Sequence, residues 1–158
     1  MGEESLFQAS ALRLSGPGFG APVILTGDPF RFIVTEQLSS VGIDPGAVLI
    51  EPEGRNTAPA VLAAALHLLE KDPDGLMLVA PSDHVIPDAA AFRAVLDAGA
   101  GAARAGRMVT FGIAPDRPET GYGWLELAEA PGAAARALDL VRFVEKPDAD
   151  KAQDLSLI

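Results

Sequence analysis

Apolar runs and amphipathic stretches alternate along the chain, a pattern that predicts strands alternating with helices. Six apolar runs have the length of strands: residues 22–26, 48–50, 76–80, 108–113, 123–127 and 140–144. The uninterrupted run at 76–80 (LMLVA) predicts a central strand that is buried on both faces. The expected fold class is therefore α/β, with helices covering a parallel or mostly parallel sheet.

Helical spacing of apolar residues predicts the helices between these strands. One helix is expected over residues 28–41, with Gly42 as its left-handed stop. Another is expected over residues 88–106, with Asp88 as its cap, and residues 148–158 have the pattern of a helix start. A further helix begins at residue 56 or 57 and is expected to bury one stripe: Leu62, Ala65, Leu66 and Leu69.

Length and composition indicate one globular domain, because the chain has 158 residues and 49% of them are apolar. The net charge of −10 disfavours nucleic-acid binding, and the absence of cysteine excludes disulfides and a thiolate nucleophile. Glu3 and Glu4 stand where a signal peptide is basic, and no apolar run reaches the roughly 20 residues that span a bilayer. A cytoplasmic protein that binds neither nucleic acid nor membrane is expected.

Ligands of α/β proteins bind beyond the carboxyl ends of the strands, so the loops that follow strands are the candidate sites. The loop at 51–60 (EPEGRNTAPA) joins a strand to a helix start, where free backbone N–H groups and Arg55 suit an anion or the edge of a base. The alternative is an ordinary turn, since helix capping alone explains Asn56 and Thr57. Taken by itself, the capping interpretation is the better one.

Asp83 follows the run predicted to be the most buried strand, and its carboxylate suits one ligand position of Mg²⁺. A helix cap or an Asx-turn explains the same residue equally well. A single Asp-His pair has too few ligands for zinc, so His84 is interpreted as a packing or hydrogen-bonding neighbour. His67 lies between apolar residues of a predicted helix and is interpreted as structural.

Two further loops carry candidate residues. Gly121 and Gly123 flank Tyr122 and permit close approach of a ligand to the backbone, although a plain turn has the same composition. Glu145 and Lys146 end a predicted strand, where Glu suits sugar hydroxyls and Lys suits a phosphate; the alternative is a solvated ion pair. If these loops share one rim of one sheet, they suit a phosphorylated sugar and a nucleotide.

The motifs together resemble the mannose-1-phosphate guanylyltransferases, a branch of the sugar nucleotidyltransferases. The resemblance covers nearly the whole chain in order, and its segments are LFQ at 6–8, RFIVTEQL at 31–38, EPEGRNTAPA at 51–60, PSDH at 81–84, VTFGI at 109–113, PETGYG at 118–123 and FVEKP at 143–147. GRNTAPA together with ETGYG is specific for the guanylyl branch. The resemblance implies a Rossmann-like, three-layer nucleotide-diphospho-sugar transferase sheet.

The resemblance also implies an activity and a set of site residues. Members of this family transfer GMP from GTP to mannose 1-phosphate and give GDP-mannose and pyrophosphate, with Mg²⁺ as the cofactor. Carried over to this sequence, guanosine would be bound by Gly54, Arg55, Asn56 and Thr57, and the metal by Asp83. The mannose would be bound by Tyr122, Gly123 and Glu145, and its phosphate by Lys146.

The sequence departs from the family pattern at both ends. The family's first strand and its glycine-rich triphosphate loop are missing, as are its Asn-Ser-Gly sugar loop and second metal-binding acid. Residues 1–158 are therefore expected to be a partial guanylyltransferase domain, inactive alone, whose unpaired strand edges favour a homo-oligomer. The alternatives are a nucleotidyltransferase for another sugar or base, and a binding module for sugar nucleotides that has no activity.

Overall fold

The computed structural model describes residues 4–132 and 136–155. The chain divides into two compact units, Met1–Ala89 and Ala90–Ile158. In the described part, strands form two separate two-stranded sheets, one in each unit, where the sequence predicts one sheet of about six strands. Each unit is described by itself.

The first unit is built around a β-α-β arrangement. Strand β1 (Val23–Gly27) is followed by a 3₁₀ turn (Asp28–Phe30), helix α2 (Arg31–Ser40) and strand β2 (Ala47–Glu51). The two strands are parallel, with a register that runs from Val23 opposite Ala47 to Gly27 opposite Glu51. This confirms the first two predicted strands and the helix between them.

Local signals in the sequence explain the boundaries of α2. Pro29 lies in the turn at the start, where its missing N–H group costs no helix hydrogen bond. At the other end, Gly42 adopts φ +73°, and Ile43 donates its backbone N–H to the carbonyl of Leu38. Leu38 is completely buried, so the apolar face of α2 is anchored at the turn that ends it.

Helix α1 (Leu6–Arg13) precedes this arrangement and is not predicted by the apolar pattern. A capping box begins it: Ser5 Oγ accepts from the Gln8 backbone N–H at 3.2 Å, and Gln8 Oε1 accepts from the Ser5 N–H at 2.8 Å. The same two side chains bind α2, because Ser5 Oγ donates to Gln37 Oε1 and Gln8 Nε2 donates to Ser40 Oγ. One pair of residues therefore starts α1 and attaches it to its neighbour.

Helix α3 (Thr57–Leu69) begins where predicted and contacts β1 and β2. The prediction of a buried stripe on α3 is wrong: Leu62, Leu66 and Leu69 are each more than half exposed, and Ala64 is the buried residue. The physical reason is the small area of the sheet, since two strands cover less of a helix face than the wide sheet that the sequence predicts.

Two predicted strands are absent from the described structure. Residues 76–80 and 108–113 form neither a strand nor a ladder with a neighbour. Four apolar side chains of the first run are 37–53% exposed, where the sequence predicts burial on both faces. An apolar run indicates that its side chains favour burial away from water. It does not determine whether a neighbouring strand is present to form hydrogen bonds with its backbone.

The second unit contains α4 (Ala89–Arg104), β3 (Trp124–Leu127), β4 (Leu140–Val144) and α5 (Ala149–Leu155). Strands β3 and β4 are antiparallel, and both confirm predicted strands. The start of α5 is also as predicted, with Asp148 Oδ1 accepting from the Lys151 backbone N–H at 2.9 Å. Gly99 is the buried residue of α4, and its lack of a side chain leaves room for Val109 and Phe111.

Candidate functional site

The predicted guanosine loop connects the end of β2 to the start of α3. Gly54, Arg55, Asn56 and Thr57 are all exposed. Arg55 Nη2 lies 2.6 Å from Glu53 Oε2, and both side chains are 68% exposed. Such an exposed pair contributes little stability, so Arg55 can exchange this carboxylate for an anionic ligand at small cost.

The conformation of Asn56 bears on the capping interpretation of this loop. It occupies the N-cap position of α3, but its side chain makes no capping hydrogen bond. Its backbone has φ +62° and ψ −168°, a region that L-residues adopt at a cost of about 1–3 kcal/mol. Capping therefore does not explain Asn56, and its amide is available to a ligand beside the free N–H groups that begin α3.

Asp83 lies in an exposed turn of the first unit, in the segment that follows residues 76–80. Among the described residues, its carboxylate has neither a hydrogen bond nor an ion-pair partner, so the cap and the Asx-turn are both wrong as explanations. The turn is attached to α1, because Arg13 Nη2 donates to the His84 carbonyl oxygen at 3.1 Å. This bond uses the backbone of His84 and not its imidazole, so the interpretation of the His84 side chain stays a prediction.

Around Asp83 the described residues form no cluster of metal ligands, so the relevant distinction is between metals that need few protein ligands and metals that need several. The described parts of the chain contain no group of three or more acidic or histidine side chains that could hold an ion. Mg²⁺ commonly takes one or two carboxylates and fills its other positions with water and phosphate oxygens, whereas zinc needs three or four protein ligands. An exposed, unpaired carboxylate is therefore compatible with Mg²⁺ that arrives with a nucleotide.

His67 fits its structural interpretation. It lies on α3, and its Nε2 atom is buried without a hydrogen-bond partner in the part of the chain that the structure describes. A buried ring nitrogen on a helix contributes no ligand to an exposed loop.

The predicted sugar residues meet at one end of the second sheet. The last pair of the ladder is Trp124 opposite Val144, and Gly123 and Glu145 directly adjoin it. Tyr122 and Lys146 are the next residues outward on each side. The antiparallel register therefore brings together the four residues that the resemblance assigns to mannose and its phosphate.

Glu145 and Lys146 form only a loose pair. Lys146 Nζ lies 3.7 Å from Glu145 Oε1, and both side chains are about two-thirds exposed. Lys146 also has φ +40°, an unusual conformation for a residue with a side chain. Neither charge is neutralised firmly by the other, so both remain available to a ligand.

Glu119 organises the loop that precedes β3, and sequence reasoning missed it. Its Oε1 accepts from the Gly121 backbone N–H at 2.9 Å, its Oε2 accepts from Arg117 Nη2 at 3.1 Å, and its carbonyl accepts from Trp124 Nε1 at 2.7 Å. The Gly121 hydrogen bond, followed by Arg117, lowers the pKa of the Glu119 carboxyl. The carboxylate therefore keeps its hydrogen bonds through the neutral range and loses them only as the pH falls through that lowered pKa.

Gly123 has a structural reason for being glycine, beside the one implied by the resemblance. A Cβ atom at this position would overlap the ring of Phe143, which lies diagonally across the ladder. The ring covers the glycine backbone in the way that aromatic side chains cover glycines in designed sheets.

Replacing Gly123 with alanine is expected to lower the free energy of unfolding by about 1–2 kcal/mol, because the half-exposed ring must move. Urea denaturation measures this cost. In a Phe143→Ala background the same substitution should cost close to nothing, and an equal cost in both backgrounds would show that the ring is not the cause.

A groove of the described structure lies away from these loops. It has a volume of about 640 Å³, runs between α2 and β2, and is lined by residues that include Phe32, Thr35 and Ile50. None of the predicted site residues lines it. The groove is open and its surface is mostly apolar, so the loops with free polar groups remain the candidate site for an anionic ligand.

The site residues are divided between the two units. The guanosine loop and Asp83 belong to the first unit, and Tyr122, Gly123, Glu145 and Lys146 belong to the second. The expectation that all of them share one rim stays a prediction.

Within residues 4–132 and 136–155, no helix combines the length and apolar character that crossing a membrane requires.

Comparison with protein families decides what kind of protein carries these loops. The sequence model of the nucleotidyl transferase family matches residues 1–157. The chain belongs to the nucleotidyl transferase family. The match extends over both units of this nucleotidyl transferase chain, so the loops predicted to bind guanosine and sugar all lie within the matched residues.

Curated relatives are similar along almost the same length. The chain is 48% identical over 153 residues to the xanthan biosynthesis protein XanB of Xanthomonas campestris pv. campestris (strain B100), a match that covers 97% of this chain and 32% of the relative. It is 43% identical over 158 residues to the mannose-1-phosphate guanylyltransferase of Escherichia coli (strain K12), covering 96% of this chain and 33% of the relative. The chain thus spans about a third of the length of these relatives.

Solved structures confirm the Rossmann-like α/β class of this nucleotidyl transferase chain. A mannose-6-phosphate isomerase from Helicobacter pylori superposes with a TM-score of 0.83 and 30% identity, over 99% of this chain and 58% of the other. A protein from Thermus thermophilus described as a mannose-1-phosphate geranyltransferase superposes with a TM-score of 0.81 and 31% identity, over 98% of this chain and 44% of the other.

Proposed function

We propose that the chain forms part of a mannose-1-phosphate guanylyltransferase, which transfers GMP from GTP to mannose 1-phosphate and gives GDP-mannose and pyrophosphate. The observation that carries this proposal is the 43% identity, over 96% of the chain, to the Escherichia coli protein of that name. The geometry supports it, because both loops expose polar groups that the fold itself leaves unused.

In this proposal the loop between β2 and α3 binds guanosine. The Asn56 amide and the backbone N–H groups at the start of α3 donate to the polar edge of the base, and Gly54 lets that edge approach the backbone. Arg55 leaves Glu53 and donates to the nucleotide, since its present ion pair is exposed and weak.

Asp83 holds the divalent cation in this proposal. Its exposed carboxylate would give one oxygen ligand, which suits a cation that takes few ligands from the protein. Bound there, Mg²⁺ would neutralise charge on the phosphates that react. The protein's contribution is a carboxylate that no other side chain of the described residues pairs with.

The end of the second sheet binds the sugar phosphate. Glu145 accepts hydrogen bonds from mannose hydroxyls, Tyr122 and the Gly123 backbone lie against the ring, and Lys146 donates to the phosphate. The loop conformation that presents Tyr122 and Gly123 depends on the three hydrogen bonds of Glu119.

The reaction needs positioning more than side-chain chemistry. A phosphate oxygen of mannose 1-phosphate attacks the α-phosphorus of GTP, the new P–O bond forms, and the bond to the β-phosphate breaks with release of pyrophosphate. Because both reactants are anions, Arg55 offsets negative charge on the nucleotide and Lys146 offsets it on the sugar phosphate. No side chain acts as a nucleophile in this scheme.

Calorimetric titration tests the guanosine assignment. The chain with Mg²⁺ is expected to bind GDP-mannose more tightly than ADP-mannose or UDP-glucose, and Arg55→Ala is expected to weaken GDP-mannose binding about tenfold by removing a charged donor. Arg136→Ala is the matched control, since Arg136 also forms an exposed ion pair, with Glu129 at 2.8 Å.

The outcomes separate the candidate functions. Preference for another nucleotide sugar would favour a nucleotidyltransferase for that sugar or base. Tight GDP-mannose binding, combined with no pyrophosphate release by the whole gene product from GTP and mannose 1-phosphate, would favour a binding module. Equal binding by Arg55→Ala and Arg136→Ala would contradict the guanosine assignment.

The cytoplasmic location and the homo-oligomer stay predictions. GTP and sugar phosphates as substrates support the first. The second is supported by the number of large apolar side chains exposed in the described residues, among them Phe30, Phe32 and Met108.

A further inference from the structure

The segment that carries Asp83 lacks the support that a strand would give it. Residues 76–80 form no ladder, and residues 81–85 that follow are exposed. A carboxylate that binds a metal must be held within a fraction of an ångström of its working position. Something other than a sheet must therefore position Asp83.

Arg13, the last residue of α1, contacts this segment across 71 positions of sequence. Its Nη2 atom donates to the carbonyl oxygen of His84, the residue after Asp83, at 3.1 Å. The same nitrogen donates to Ser10 Oγ at 2.9 Å, and Ser10 is only 4% exposed. The buried hydroxyl is thus a second partner, within α1, that helps to orient the guanidinium.

Helix α1 is itself fixed to the β-α-β arrangement. Gln8 Nε2 donates to the Gln37 carbonyl oxygen at 3.1 Å and to Ser40 Oγ at 2.8 Å, and Ser5 Oγ donates to Gln37 Oε1 at 2.6 Å. Hydrogen bonds thus run from α2 through α1 and Arg13 to the backbone beside Asp83.

We propose that Arg13 is a positioning residue for Asp83: by holding the His84 carbonyl, it fixes the turn that presents Asp83 to the metal. This inference rests on the proposed function, in which Asp83 binds Mg²⁺ together with nucleotide phosphates. Arg13 touches neither the metal nor the nucleotide, and it acts through the backbone of the turn.

The test uses the chain with Mn²⁺ and GDP as the probe. Arg13→Met keeps the length of the side chain and removes its donors, and Arg13→Lys restores a donor. The matched control is Arg31→Met, because Arg31 Nη1 also donates to a backbone carbonyl, that of Asp28 at 2.8 Å, within its own segment. The readouts are the Mn²⁺ affinity, the NMR order parameters of the Asp83 and His84 amides, and the melting temperature.

Arg13→Met is expected to lower both order parameters and to weaken Mn²⁺ binding about tenfold, as removal of a group behind a metal ligand does. The melting temperature should fall only slightly, because the buried Ser10 hydroxyl loses one partner. Arg13→Lys should recover part of the affinity, and Arg31→Met should resemble the parent chain. Unchanged affinity and order in Arg13→Met would overturn the proposal. So would a lower melting temperature that explains the lost affinity, with no recovery in Arg13→Lys.

Asp83→Asn separates this inference from the function on which it rests. Normal Mn²⁺ binding by Asp83→Asn would contradict the proposed metal ligand, whatever Arg13 does. Lost binding in Asp83→Asn together with normal binding in Arg13→Met would contradict the positioning residue alone.

Discussion

Replacing Asp83 with asparagine is expected to lower the kcat of the whole gene product for GDP-mannose synthesis by at least about 100-fold, or roughly 2.7 kcal/mol in the activation free energy. The physical reason is the loss of the anionic ligand that the proposed function assigns to Mg²⁺. The fold should not change, because the Asp83 side chain is exposed and makes no hydrogen bond or ion pair among the described residues. Pyrophosphate release from GTP and mannose 1-phosphate measures the effect.

Asp74→Asn is the matched control for this substitution. Asp74 is another exposed carboxylate in a turn of the same unit. It should keep the parent kcat, and the melting temperatures of both variants should match the parent. A normal kcat in Asp83→Asn would remove Asp83 from the metal site.

Replacing Lys146 with methionine is expected to lower kcat/KM for mannose 1-phosphate about 100-fold, mainly through KM. Methionine keeps the length of the side chain and removes the charge that meets the phosphate. Lys146 has no firm partner to lose, since its pair with Glu145 is long and exposed. The KM for GTP should change little, so initial rates with each substrate varied in turn distinguish the two effects.

Lys151→Met controls for the loss of a positive charge near the end of the chain. Lys151 is an exposed residue of α5 and should tolerate the change with normal kinetics. Equal losses in the two lysine variants, or a loss confined to the KM for GTP in Lys146→Met, would contradict the assignment of Lys146 to the sugar phosphate.

Elements with strong local signals could be predicted from the sequence. The β-α-β arrangement has a proline at the start of α2, a glycine after it and two short apolar strands, and each of these signals acts within a few residues. The start of α5 depends on Asp148 alone in the same way. Such local signals act independently of the elements that pack against the helix or strand.

The pairing of strands and the burial of helix faces could not be predicted from the sequence. Residues 76–80 have the composition of a buried strand, but whether a strand forms depends on a neighbour that the run itself does not encode. The α3 leucines fail for a related reason, since their burial depends on the width of the sheet against which the helix lies. Helix α1 was missed because its capping box, Ser5 and Gln8, precedes a stretch with little amphipathic pattern. Ser followed three residues later by Gln is the signal that could have found it.

In the candidate site, too, local motifs could be predicted from the sequence and distant contacts could not. The motif residues were identified by resemblance, and the structure adds why some of them are available, as for Asn56 with its unused amide. The residues that position them were missed, because Glu119 acts through a turn and Arg13 acts across 71 residues of sequence. The spacing of residues along the sequence does not indicate either contact, although Glu119 lies within the PETGYG motif at residues 118–123.

The central claim is that the first unit binds the guanosine part of the ligand and the second unit binds the mannose phosphate. NMR titration of the ¹⁵N-labelled chain, first with GDP and then with mannose 1-phosphate, tests this claim most directly. The account predicts that GDP with Mg²⁺ shifts the amide signals of residues 54–57 and 83, and that mannose 1-phosphate shifts those of residues 122, 123, 145 and 146. Shifts that fall elsewhere, or the same residues responding to both ligands, would contradict it.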